Sequence, residues 1–199
     1  MTAQAADSAL FKNESFLVCG ANGPELVVPS QFGLKPEMPS TACYRGWMAN
    51  YLIADHIELA DLYVFHDAGL PAKNRKPNGP IINGVSPQEP DSPGSALGFN
   101  CLYRGLNFPL LFTGGLLLGR GIVRGLLVNM GFHPFWKFEE VHELIFEQGA
   151  LLVATDKSEV ARTIREKHLV KGILGRPDLS RESEVTEWIE QSFSLRYSI

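Results

Sequence analysis

Residues 106–130, LNFPLLFTGGLLLGRGIVRGLLVNM, form an apolar tract broken by five glycines and one proline and charged only at Arg120 and Arg124. Its uncharged part, 106–119, spans fourteen residues, too few for a membrane helix, which needs roughly 20. Glycine at this density also weakens a soluble helix. Short apolar blocks bounded by glycine describe buried strands, or strands that bend where the glycine sits. The tract therefore predicts the centre of the core as paired extended chain. One strand is expected over 110–118 and a second over 122–128, with Gly119-Arg120-Gly121 as the turn.

The same glycines admit a sharper alternative. Gly119, Gly121 and Gly125 read G-x-G-x-x-x-G after an apolar run, with Glu139 and Glu140 about 20 residues on, where a ribose-binding acid would stand. A dinucleotide fold needs a helix directly after the glycines, its N-terminus facing the pyrophosphate. Only 122–130 is available before Gly131 and Pro134, and it contains another glycine. The hairpin is preferred and no cofactor is expected.

A net charge of −4 argues against general nucleic-acid binding and offers nothing to an anionic membrane surface. Cys19, Cys43 and Cys101 are an odd, widely spaced set without a CxxC pair, which fits reduced thiols in a cytoplasmic protein. MTAQAADSALF places no basic residue ahead of its short apolar part, so a secretory signal is not expected. With 199 residues, one domain is the default.

Along the chain, 1–14 reads as a loose start. A hairpin is expected from 15–19 and 25–28 around Gly20-Ala21-Asn22-Gly23-Pro24. In 43–65, Trp47, Ala49, Tyr51 and Ile53 alternate on one face, then Ile57, Leu59, Tyr63 and Phe65, with Ala54-Asp55-His56 as the turn. Segment 67–98, with six prolines and five glycines, reads as a polar insertion or, alternatively, a lid or partner-binding loop. Tyr103-Arg104-Gly105 echoes Tyr44-Arg45-Gly46, which would mark two similar strand starts. Segments 137–146 and 150–155 form a hairpin about Glu147-Gln148-Gly149, with Leu151, Leu152 and Val153 as a buried strand; a helix over 137–146 is the alternative. The end, 156–199, is helical. Asp156-Lys157-Ser158-Glu159 matches a capping box ahead of Val160, Ile164 and Leu169, and a second helix carries Val185, Trp188, Ile189 and Phe193. That second stripe should dock on the sheet or on another subunit, which makes a homo-oligomer one expectation. The fold class is α+β: predominantly antiparallel β hairpins, as a sheet or a partly closed barrel, with two C-terminal helices.

The run C-Y-R-G-W-M-A-N-Y-L-I at 43–53, followed by I-E-L at 57–59, resembles a pattern of uncharacterised bacterial β-rich proteins. In that pattern an aromatic-rich strand after R-G leads through a tight turn into an L-x-L strand. Segments 111–118 and 141–153 are similar to its second half. Its turn usually carries Asp-Gly, whereas here Asp55 precedes His56. The resemblance implies a β-rich fold and no particular activity.

Chemistry-bearing residues are sparse. His66, His133 and His142 with Asp67, Glu140 and Glu143 are the one set suited to acid–base or metal chemistry, and neither H-E-x-x-H nor H-x-H occurs. In a strand, His142 shares a face with Glu140 and opposes Glu143; in a helix, Glu139, His142 and Glu143 would converge. No metal site is expected. No G-x-S-x-G occurs, and no cysteine has a neighbouring histidine, so the thiols read as buried and inert. Arg45, Tyr103 and Arg104 are candidate ligand-binding residues, since an Arg beside aromatics at a strand start can hold a carboxylate or phosphate. The expected function is a soluble, non-catalytic binding or interaction module for a small molecule or a protein. A small hydrolase or isomerase using His133, His142 and Glu140 under the 67–98 loop is the alternative.

Overall fold

A computed structural model describes residues 3–66, 76–127, 131–170 and 197. Eight strands make one open, mostly antiparallel sheet: β1 Ser8–Phe11, β2 Glu14–Asn22, β3 Trp47–Ile53, β4 Ile57–Val64, β5 Cys101–Pro109, β6 Gly114–Ile122, β7 Phe138–Glu147 and β8 Ala150–Asp156. They run in the order β5-β4-β3-β1-β2-β6-β7-β8. The fold is α+β, with helix α1, Ser92–Leu97, inside the long loop and α2, Ser158–Val170, after the last strand. The second expected C-terminal helix lies outside the described residues.

The middle of the central tract is extended chain in an antiparallel setting, but the strand covers 114–122 rather than 110–118: 106–109 end β5, and 110–113 connect β5 to β6. Leu116, Leu117 and Leu118 are fully buried, and β6 is flanked by β2 and β7. The turn expected at Gly119-Arg120-Gly121 does not form. β6 runs through it, pairing Gly119 with Val141, Arg120 with Glu140 and Ile122 with Phe138. Glycine is needed there for two unrelated reasons: the Phe138 ring lies over Gly119, and Gly121 takes a left-handed φ of 71°. Gly125 falls in a 3-10 turn, Arg124–Leu126, rather than in a second strand. The described residues after these glycines thus present no helix N-terminus to a pyrophosphate.

The N-terminus is the largest correction. Segment 8–11 is a strand rather than part of a loose start, turning into β2 through Lys12 and Asn13, both at positive φ. β1 pairs with β2 on one side and, in parallel, with β3 on the other. Ala9 and Phe11 are buried; a strand of four residues is too short to show a period. Nor is there a hairpin from 15–19 and 25–28: β2 continues to Asn22 to pair with β6, and the chain then passes into a 3-10 turn, Pro29–Phe32.

The β3–β4 hairpin forms as expected, with one correction. The register shift against β3 leaves Ala60 as an extra residue on β4, and β5 shifts register at the same place; a bulge changes which side chains face inward. Ile57, Leu59, Leu62 and Val64 therefore share the main core, while Tyr63 and Phe65 join a cluster with Cys43, Phe99 and Leu102. The β7–β8 hairpin also forms, its turn made by Gln148 and Gly149 at positive φ, and no helix spans 137–146. β8 is not buried, however: Leu152 and Val153 are exposed, because β8 ends the sheet order. Its first residues are pinned to the β3–β4 turn by hydrogen bonds from Ile57 N to Gly149 O (3.0 Å) and from Leu151 N to Asp55 O (2.8 Å). The sheet is thus curled without being closed.

Segment 76–98 is docked on the sheet rather than a free insertion. Gln88 bridges to Leu102, Asn83 donates to Leu106 O and Tyr103 donates to Pro80 O, which covers the β5 edge. Asp91 caps α1, accepting from Gly94 N at 3.2 Å. Asp156 accepts from Ser158 N at 2.8 Å at the start of α2. α2 docks Ala161 and Ile164 beside Trp136, Phe138 and Val141, leaving Val160 exposed. The YRG echo does not mark equivalent strand starts: Tyr44 is exposed ahead of β3, whereas Tyr103 is buried within β5.

Candidate ligand-binding site

Strand β3 presents Trp47 and Tyr51 at the same parity, so their side chains leave one side of the strand; Arg45 stands in the turn just ahead, separated from β3 by Gly46 at a left-handed φ of 78°. Beside them the curl of the sheet brings Asp7 from the start of β1. Asp7 is only 8% exposed, and its carboxylate accepts from Ala49 N (2.7 Å), Arg45 Nη1 (3.1 Å), Arg45 Nη2 and Tyr51 Oη (3.4 Å). Arg45 also donates from Nε to Trp47 O at 2.8 Å, and its guanidinium lies 3.9 Å from the Trp47 ring centroid. A buried carboxylate requires such compensation. Burial, reinforced by the adjacent Asp7 charge, pushes the Tyr51 phenol well above its ordinary pKa, so it remains a neutral donor.

This cluster lies in the wall of a cleft of about 610 Å³. The cleft is also lined by the connection after β2, where Pro24, Leu26, Val27 and Pro29 give an apolar surface, by Phe132, and by Glu25, a second carboxylate. The volume lies in the range of cavities that hold small organic molecules, and a few convergent polar groups among apolar walls are the usual composition of such sites.

Of the three ligand-binding candidates, the structure places only Arg45 in this cleft. Tyr103 is buried under the long loop, where burial raises its pKa. Arg104 is half exposed and pairs with Asp91, to which Tyr63 also donates at 3.0 Å. Glu140 and His142 are brought together, His142 Nε2 standing 3.0 Å from Glu140 Oε1. The strand sends Glu143 elsewhere, to Lys157 at 3.1 Å and to Tyr197. His142 packs edge-on to Phe11 and Phe16, and Glu140 is shared with Arg120, which also meets Glu14. Burial would raise the Glu140 pKa, but hydrogen bonds from His142 and Arg120 outweigh it and hold the carboxyl low. His133 makes its surroundings with Gln4, Leu17, Phe132 and Phe138 around a cavity of about 80 Å³. Its Nδ1 is buried without a hydrogen-bond partner among the described residues, and burial together with Lys137 lowers its pKa. His66 Nδ1 accepts from Lys35 N at 3.0 Å, and Asp67 lies outside the described residues. In the sheet order five strands separate β5, the edge that carries the described part of the long loop, from β7.

All three cysteines are free and buried. Among the described residues no group of His, Cys, Asp and Glu is arranged to hold a metal ion, and no helix is long and apolar enough to cross a membrane.

Sequence reasoning missed Asp7, Trp47 and Tyr51 as site residues. Trp47 and Tyr51 carried a usable signal, since they share one face of the strand that begins two residues after Arg45. Asp7 carried none, because its partner is 38 residues away.

Compared with protein-family models, with curated proteins and with solved structures, the chain finds no match.

Proposed function

We propose that this is a non-catalytic binding protein of the cytoplasm that holds a small organic molecule in the Asp7–Arg45–Tyr51 cleft. The observation that carries this proposal is a buried carboxylate, Asp7, paired with the partly exposed Arg45 guanidinium in the wall of a mostly apolar cavity of ligand size. A buried ion pair contributes little net stability compared with apolar packing, so its position in a cleft wall is better accounted for by recognition. Three buried, unpaired thiols support the reducing compartment. Ligand-observed NMR with a fragment library tests the proposal. Ala21 is exposed and lines the cleft, so Ala21→Trp fills it without entering the core. Fragments that bind the native protein should be lost in A21W. Binding unaffected by that substitution, or no fragment bound in the millimolar range, refutes the proposal.

A second reading draws on the Glu140–His142 hydrogen bond: a small hydrolase or isomerase in which Glu140 orients His142 as a general base, with His133 as a further group. Turnover of activated esters by the native protein, abolished in His142→Asn, would favour it over the binding role.

A further inference from the structure

We infer that the cleft selects an uncharged ligand carrying a carbonyl-type hydrogen-bond acceptor on an apolar body, and discriminates against carboxylates and phosphates of the same shape; this rests on the binding role proposed above. An arginine in a ligand cleft would ordinarily suggest an anion. Here the guanidinium is already occupied. Of its five N–H donors, three are directed at Trp47 O and at the two Asp7 oxygens. Its positive charge is matched by a carboxylate whose side chain is only 9% exposed, whereas the Arg45 side chain keeps 31% exposure on the cleft.

An incoming carboxylate would therefore place a second anion on one guanidinium, within reach of Asp7. It would also share the cleft with Glu25, a second carboxylate on the lining. Among the described residues the lining carries one cation, Arg45, and two anions, Asp7 and Glu25, a net negative formal charge. Like charges in a partly desolvated site repel strongly. A neutral acceptor meets none of this repulsion and can still take the two remaining N–H donors of Arg45. Tyr51 adds no cationic help: its hydroxyl is turned to Asp7, and its raised pKa keeps it neutral. The apolar walls supply the remaining affinity through burial of the ligand body.

The test uses a matched pair of probes, 2-naphthamide and 2-naphthoate, titrated into the full-length native protein by NMR at pH 7. Naphthamide should bind at least tenfold more tightly. Asp7→Asn, which keeps the size and one acceptor oxygen, replaces the other with an amide donor and frees the guanidinium charge, should invert the order in favour of naphthoate. Glu25→Gln, at an exposed position, should narrow the native preference severalfold and stands as the check should D7N fail to fold. Equal or tighter binding of naphthoate by the native protein overturns the inference while leaving a binding role intact. The same follows if other fragments bind in an A21W-sensitive way and neither probe binds. If no fragment at all shows A21W-sensitive binding, the binding role itself fails and this inference with it.

Discussion

Three glycines of one sequence motif, Gly119, Gly121 and Gly125, should respond differently to alanine, because each is glycine for a different reason. At Gly119 the backbone is ordinary extended chain, but a Cβ would stand 2.5, 2.6 and 2.9 Å from Phe138 Cγ, Cδ2 and Cδ1. Optimal carbon contacts are roughly 3.5–4.0 Å, so the ring must shift by about an ångström. It has nowhere to go: Phe138 is 1% exposed and packed with Trp136 and Val141. Overpacking of this kind costs about 1–3 kcal/mol, which for a chain of this size lowers Tm by about 2–12 °C. At Gly121 the obstacle is conformational. Its φ of 71° costs a non-glycine residue roughly 1–2 kcal/mol, while the nearest atom, Glu139 Oε2 at 3.2 Å, belongs to a flexible side chain. At Gly125 nothing among the described residues lies within 4 Å and φ is not left-handed. Alanine there removes freedom from the unfolded chain and should leave stability unchanged or raise it by up to about 1 kcal/mol. Urea unfolding of the three single variants gives the order Gly125→Ala, then Gly121→Ala and Gly119→Ala clearly below it. If G119A proves as stable as G125A, Phe138 does not lie over β6 and the register between β6 and β7 is wrong. A nucleotide-binding loop would instead lose ligand-induced stabilisation in all three.

Burial holds the Lys137 ammonium down to about 8 from an ordinary 10.5. The unfolded chain then binds more protons across that window, so Lys137 makes stability rise with pH; relative to Lys137→Met the native protein should gain roughly 2 kcal/mol between pH 7.5 and 9.5, and parallel stability curves would refute this. Each thiol is buried and its pKa is raised chiefly by desolvation, so Ellman's reagent should label none of Cys19, Cys43 and Cys101 in the native protein and all of them in denaturant; fast native labelling of any one contradicts the packing. Leu116→Ala, in the fully buried centre of β6, should cost about 2–5 kcal/mol, whereas Leu152→Lys on the exposed edge strand should change stability by less than about 0.5 kcal/mol; similar losses at the two positions would mean that β8 is covered.

Local rules were enough for the two hairpins β3–β4 and β7–β8. Their strands alternate within a few residues and their turns depend on the residues in them: His56 and its neighbours in one, Gln148 and Gly149 in the other. The buried, extended character of the central tract was equally legible, since length and glycine content excluded its being a helix. What the sequence could not disclose depends on partners far along the chain. β1 exists as a strand because it slots between β2 and β3, and four residues have no period of their own. Whether Gly119-Arg120-Gly121 turns or continues was decided by β7, whose Val141, Glu140 and Phe138 pair straight along it. The single bulge at Ala60 sends Tyr63 and Phe65 to a different cluster from Ile57 and Leu59, because one added residue reverses every side chain that follows. The candidate site is the extreme case. Trp47 and Tyr51 share a strand face that can be read directly, but Arg45 joins them from a turn, and Asp7, its ion-pair partner, arrives only through the parallel pairing of β1 with β3. Alternation and turn preference act over two to four residues; charge pairing, register and burial are settled by whatever the folded chain lays alongside.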